Sequence, residues 1–234
     1  MKSLKPGVSR GVIFILLALL GLLCFSPFYI MIINATHSSG ELMTALFLNP
    51  GASLADNYRT MTRMIDIWRG FLNSCVITVS ATILSAYFGA LTAFGLAKYS
   101  FRGKNILYGL VAGSMMIPSQ LGIVGFFRLN AALGTLDTFF PLIAPSIANA
   151  GTVFFILQYM RSALPDSLLE AARIEGSGEF GIFNYITLPL VKPAVATMSI
   201  FNFIFSWNNF MTPMIVLLSQ KNFTVPLLVM NLRG

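Results

Sequence analysis

Two groups of polar residues stand out in this otherwise apolar chain of 234 residues. The first lies in the stretch 161–192, RSALPDSLLEAARIEGSGEFGIFNYITLPLVK, where Asp166, Glu170 and Arg173 fall at i, i+4 and i+7. That spacing puts two carboxylates and a guanidinium on one stripe of a helix, and the apolar face beside it can serve as a docking surface or cover the protein's own core. The second is Ser199, Asn202, Ser206 and Asn209, recurring at three, four and three residues on one face of a helix that is otherwise apolar. Hydroxyls and amides there can bond a hydroxyl-rich solute, with Trp207 covering its C–H face, or they can hydrogen-bond helices to one another. Neither group supplies a nucleophile, a metal cluster or paired carboxylates in an apolar segment, so the sequence carries no catalytic constellation. A phosphate loop of the G-x-x-x-x-G-K-[ST] kind is absent as well.

The charged group needs a short helix to hold it. Pro165 suits a first turn, and Ser167 with Glu170 has the spacing of a capping box. Leu168, Ala171 and Ala172 form a second, low-bulk face that lets another surface come close. Gly176 is expected to close the helix in the left-handed conformation. Ser177 is then expected to cap a second helix with Phe180, Phe183 and Ile186 on its apolar side, and Pro189 to end it. The stretch thus reads as helix, glycine corner, helix.

The elements around it are membrane spans. Hydrophobic residues make up 56% of the chain and charged ones 10%, with a mean hydropathy of +0.78, far from the balance of soluble domains. Apolar runs predict five spans, at about 11–34, 70–97, 106–127, 139–160 and 193–218, forming one all-α transmembrane domain over residues 1–234. The first is read as a retained helix, because a cleaved signal would have a shorter apolar region and a small-residue cleavage site, and Pro27 is expected to bend it. Residues 35–69 form a long external loop in which Leu54, Tyr58, Met61, Ile65 and Trp68 repeat at helical spacing. In the second span Gly89 and Ala93 permit close helix packing. Pro118, Gly122 and Gly125 interrupt the third near Gln120.

Cys24 and Cys75 lie in apolar runs and read as packing residues, and His37 stands alone with no role assigned. The formal charge of +7 reflects basic residues scattered between the apolar runs, which indicates topology and not nucleic-acid binding. Lys2, Lys5, Arg10, Lys98, Arg102, Lys104, Arg161, Arg173 and Lys192 fall on one side, against Arg59, Arg63, Arg69, Arg128, Lys221 and Arg233 on the other. The richer side is expected to be cytoplasmic, with the N-terminus and the 161–192 loop.

Glu170-Ala171-Ala172, Gly176, Ile186, Leu188 and Pro189 match E-A-A-x-x-x-G-x9-I-x-L-P, which resembles the signature loop of permease subunits of binding-protein-dependent ABC importers. Pro165, the run Arg173 to Gly176, and Trp207-Asn208-Asn209-Phe210 resemble the maltose-type, carbohydrate-importing branch. Glu175 and Ser177 depart from it, standing where Asp and Ala are more usual. The resemblance implies a bacterial cytoplasmic (inner) membrane subunit that binds no cofactor itself and forms part of the path of a sugar or sugar-like solute. It implies coupling through the loop to two copies of a separate ATPase that hydrolyses ATP, a second, related permease chain, an extracytoplasmic solute-binding protein and the surrounding lipid. Such permeases usually have a sixth span, for which the apolar patch at 225–230 is too short, so a missing last span is expected here. The alternative is a self-contained facilitator or channel. Against it, the five spans hold no Asp, Glu, Lys, Arg or His of the kind that ion-coupled carriers use at membrane depth.

Overall fold

The computed structural model describes residues 6–232, and every regular element among them is a helix. In chain order these are α1 (Pro6–Asn34), α2 (Ser39–Leu42), α3 (Leu54–Met64), α4 (Ile67–Lys98), α5 (Lys104–Ser114), α6 (Ile123–Ala132), α7 (Phe140–Ile143), α8 (Ala150–Ala163), α9 (Asp166–Ile174), α10 (Glu179–Gly181), α11 (Leu188–Leu190), α12 (Lys192–Asn208), α13 (Met211–Val216) and α14 (Val225–Asn231). The chain forms two units that meet in sequence between Ile65 and Asp66.

In the first unit, α1 is apolar on all sides, and its stretch Arg10–Asn34 is long and apolar enough to cross a membrane. Pro27 lies inside this continuous helix. The stretch after it, expected as a long loop, is ordered by side-chain caps. Ser38 and Glu41 form a true capping box on α2, Thr36 Oγ1 accepts the Gly51 amide at 2.7 Å, and Asn57 Nδ2 donates to the carbonyls of Ala35 and His37. His37 has a structural role that its isolation in sequence concealed: its ring stacks on Phe47 at 4.1 Å, and its Nε2 lies 2.9 Å from the Asn49 carbonyl oxygen. The expected run from Leu54 to Trp68 is two helices. Ile65 is extended, and Asp66 caps α4 by accepting the Arg69 amide at 3.0 Å, which places Trp68 in α4.

The second unit is built around α4, 32 residues long and packed between α8 and α12. Small residues let α8 approach. Ala90 and Ala93 are fully buried, and a Cβ added at Gly89 would lie 2.7 Å from Thr152 Cγ2, so the close packing expected of Gly89 and Ala93 is present. Below this seam Phe94, Ile156, Leu157, Met160, Leu169, Ile182 and Phe183 form the main apolar core. A smaller cluster, Val216, Leu217 and Leu227, gathers at the other end of the unit with Phe126 and Phe139. It is tied by Asp137, whose carboxylate accepts from the Leu218 and Ser219 amides at 2.9 and 2.8 Å and from the Ser219 hydroxyl. These bonds, with that of Ser219 Oγ first, hold the Asp137 carboxyl far below the usual carboxylate range.

The spans differ from their predicted form where proline and asparagine break the ladder. Ile67–Lys98 and Phe140–Ala163 are long and apolar enough to cross a membrane. The expected third span, 106–127, is α5, which ends at Ser114, a 3-10 turn at Ser119–Gly122 and α6; the interruption near Gln120 that the sequence suggested is present and opens ahead of Pro118. The expected fifth, 193–218, stops at Asn208 and restarts as α13, because Asn209 is extended and its side chain bonds Thr212 on both its oxygen and its amide.

Candidate functional site

The 161–192 loop folds as helix, glycine corner, helix, with its caps placed differently from the expectation. Pro165 is the N-cap of α9 and Asp166 its first residue, so Ser167 and Glu170 lie inside the helix and form no capping box. The C-terminus follows expectation: Gly176 has φ +84°, its amide donates to the Arg173 carbonyl at 3.0 Å, and the Ser177 amide reaches Ala172 at 2.9 Å. This is a Schellman closure, which needs a residue at ease in the left-handed region. The second helix is capped by Gly178, with no side-chain bond from Ser177. It passes through a π-helical stretch, Ile182–Thr187, and continues beyond Pro189 to Leu190. The chain then bends by 78° into α12.

Of the seven motif residues, Ala172 is buried, Ile186 and Leu188 pack half-buried on the core, and Glu170, Ala171, Gly176 and Pro189 are exposed. The anticipated second face of α9 is divided: Leu169 and Ala172 turn inward while Leu168 and Ala171 turn outward. The apolar side of the second helix is divided too, with Phe183 fully buried and Phe180 66% exposed. Ile174 at 87% and Tyr185 at 85% add to an exposed, partly apolar surface flanked by Glu170 and Glu175.

Ionic contacts fix this surface to the end of α4. Arg173 grips Glu179 in a fork, Nε to Oε1 at 2.7 Å and Nη2 to Oε2 at 3.2 Å, while the Tyr99 hydroxyl donates to Oε2. Lys98 Nζ lies 2.7 Å from Asp166 Oδ1 and also donates to the Leu164 carbonyl. Arg173 and then Tyr99 lower the Glu179 pKa, and Lys98 lowers that of Asp166. Glu179 raises the Arg173 pKa, while burial, then Glu179, raises that of Tyr99.

The second polar group borders a cavity of about 550 Å³. Asn202, Ser206 and Asn209 line it; Ser199 and Trp207 do not. Trp207 instead stacks on Phe203 at 5.9 Å and meets the Phe71 ring edge-on at 5.4 Å. Asn202 also joins helices: its Nδ2 donates to Ser85 Oγ and Thr152 Oγ1, both at 2.9 Å, and its Oδ1 accepts from Asn149 at 3.3 Å. Sequence reading missed the α4 share of the wall, where Ser74, Thr78 and Ser85 line the cavity. Their spacings of four and seven residues in an apolar helix were the available signal. Thr224 lies on the wall as well, 4% exposed, its hydroxyl unpartnered among the described residues. No described lining residue is charged, so the cavity can solvate a solute through hydroxyls and amides alone.

Several apolar helices long enough to span a bilayer make this a multi-pass membrane protein. The chain is 37% identical over 213 residues to the arabinooligosaccharides transport system permease protein of Bacillus subtilis, covering 89% of this chain and 75% of that one. It is 28% identical over 232 residues to the lactose transport system permease protein of Rhizobium radiobacter, covering 99% and 84%. Its fold matches a crystal structure of a bacterial ABC transporter involved in the import of the acidic polysaccharide alginate, with TM-score 0.81 at 23% identity, over 98% of this chain and 81% of that one. Residues 85–228, which hold the loop and most of the cavity wall, match the family described as binding-protein-dependent transport system inner membrane component, and the chain belongs to that family.

Proposed function

We propose that this chain is a transmembrane subunit of an ABC importer for a sugar or sugar-like solute, with the 161–192 loop as the seat of a separate ATPase. One observation supports the reading most: the residues matching the permease signature fold into a rigid helix–corner–helix whose outer surface is exposed and partly apolar. The uncharged, hydroxyl- and amide-lined cavity suits a neutral polyol, and relatives named for arabinooligosaccharide and lactose transport support that solute class. The chain's own role is to bind, seal and move. Hydrolysis of ATP belongs to two copies of the partner ATPase, and a second permease chain and an extracytoplasmic solute-binding protein complete the assembly. The Lys and Arg distribution supports a bacterial inner-membrane orientation with the N-terminus and the loop in the cytoplasm.

Co-purification tests the reading. The wild-type chain is expected to bring a soluble ATPase through detergent extraction, and Glu170→Ala to release it or abolish its stimulation. Gly176→Val forces a β-branched residue to φ +84°, at a cost of about 1–2 kcal/mol, and is expected to do the same. Gly40→Ala, outside the loop and with open space around it, is the control and should bind normally. Full binding and transport in both Glu170→Ala and Gly176→Val refutes the assignment.

A further inference from the structure

The ends of α9 are fastened by two consecutive residues that lie outside the signature. Lys98, the last residue of α4, reaches the start of α9 through the Leu164 carbonyl and the Asp166 carboxylate. Tyr99, next in sequence, reaches past the far end through Glu179, which Arg173 grips across the Gly176 corner. The Arg173 guanidinium also sits 5.9 Å from the centroid of the Tyr99 ring. Behind these polar contacts Phe94 of α4 meets Tyr99 at 5.5 Å and Phe183 of the second loop helix at 5.7 Å. The loop is therefore held to one helix at three points. That same helix, unbroken, carries Ser74, Thr78 and Ser85 on the cavity wall. Ser85 to Lys98 spans 13 residues, about 20 Å at 1.5 Å per residue.

A packed helix transmits displacement when it is fastened at its loaded end, and frees the load when it is not. We propose that Lys98 and Tyr99 are positioning residues: they lock the 161–192 loop to α4 so that movement of the loop moves the cavity wall as one body. The proposal rests on the loop being the ATPase seat. It assigns the transmission to two residues that touch neither solute nor nucleotide.

The test uses the complex purified with its ATPase, the chain having Cys24 and Cys75 replaced by Ser and a reporter Ala81→Cys on the part of the cavity wall that α4 supplies. The probe is N-ethylmaleimide labelling, with and without a non-hydrolysable ATP analogue. With Lys98 and Tyr99 intact, the analogue is expected to change the labelling rate by about 5-fold or more, the lower end of ordinary coupling between sites. Tyr99→Phe keeps the ring against Phe94 and Arg173 and removes only the hydroxyl; Lys98→Met keeps the stem and removes the charge. In the double variant the ATPase is expected to co-purify while the nucleotide effect falls to about 1-fold, and Lys98→Arg with Tyr99 intact is expected to retain most of it. A nucleotide effect equal to that of the parent overturns the proposal and leaves the ATPase seat standing. Loss of the ATPase from the double variant also overturns it, since the pair would then be holding the fold or the seat itself. A parent complex without ATPase or without any nucleotide effect refutes the seat, and the lever with it.

Discussion

Asn202 lines the cavity and also bonds three other side chains, so its removal separates the two roles open to the stripe on α12. Polar contacts between helices in a membrane average about 0.6 kcal/mol each, with a maximum near 1.7. Three of them give roughly 2 kcal/mol, and the loss stays near that figure because Ser85 and Thr152 remain bonded to each other at 3.1 Å. Asn202→Ala is therefore expected to lower the folded-to-unfolded ratio by about 30-fold, from a tenfold change per 1.4 kcal/mol. Asn209 differs, since both its bonds go to Thr212 three residues on, and Asn209→Ala costs only a local cap of about 1 kcal/mol. Thermal unfolding of the detergent-purified chain, read beside uptake by the assembled complex, measures both. Asn202→Ala should lose stability and assembly together, while Asn209→Ala should assemble and alter solute affinity. Wild-type stability in Asn202→Ala refutes the bonding network as helix glue, and unchanged affinity in Asn209→Ala removes it from the path.

Three further outcomes are expected. Gly89→Ala gains about 1 kcal/mol of helix propensity but drives its methyl to 2.7 Å from Thr152 Cγ2, an overpacking cost of about 1–3 kcal/mol, whereas Gly95→Ala meets nothing within 4 Å and keeps the gain. Thermal melts should rank Gly95→Ala above wild type and Gly89→Ala at or below it, and the reverse order discards the close approach of α4 and α8. The ion pairs of the loop define a pH window. Asp166 and Glu179 have lowered pKa values, so their contribution is present above the ordinary carboxylate range near 4 and is lost as pH falls through the folded values; Tyr99 is raised, so its contribution is full below about 10 and is lost as pH rises through its folded value. A spin label at Ser177→Cys should be least mobile between those limits, and constant mobility from pH 3 to 11 removes the pairs as fasteners. Topology is tested by membrane-impermeant labelling of intact cells, where a cysteine at Ser38 should react and one at Gly178 should not; equal reaction overturns the cytoplasmic placement of the loop.

What the sequence made legible was whatever depends on neighbours along the chain. Long apolar runs located α1 and α4 to within a few residues at most ends, and Gly176 announced its left-handed corner because few residues other than glycine close a helix in this way. The caps were less legible. Ser167 and Ser177 had suitable neighbours, yet Pro165 and Gly178 took the positions; the true capping box at Ser38 and Glu41 went unread among polar residues. Local spacing could not foresee that Lys98 and Tyr99 would meet Asp166 and Glu179, pairs separated by 68 and 80 residues. His37 was invisible for a related reason, since its partner Phe47 and the Asn49 carbonyl arrive only when the intervening chain folds back.

The broken spans carry the functional argument further than the intact ones. Inside a bilayer an interrupted helix exposes backbone groups that lipid cannot bond, so irregular backbone persists at that depth only against protein or a wet cavity. Three interruptions of the second unit border the cavity, at residues 115–122, 144–149 and 209–210. Each sends side chains to the same cavity: Gln120 from the first, Ser146 and Asn149 from the second, Asn209 from the third. α4, which has no break, adds Ser74, Thr78 and Ser85 to the wall. Pro118 and Pro145 lie within the first two interruptions, and the Asn209 side chain holds the third by bonding Thr212. A regular five-helix reading treats these residues as defects of the spans. Taken together they are the means by which an apolar bundle brings amides and hydroxyls to its interior without a buried charge, and the signature loop lies on the same helix that forms the unbroken wall.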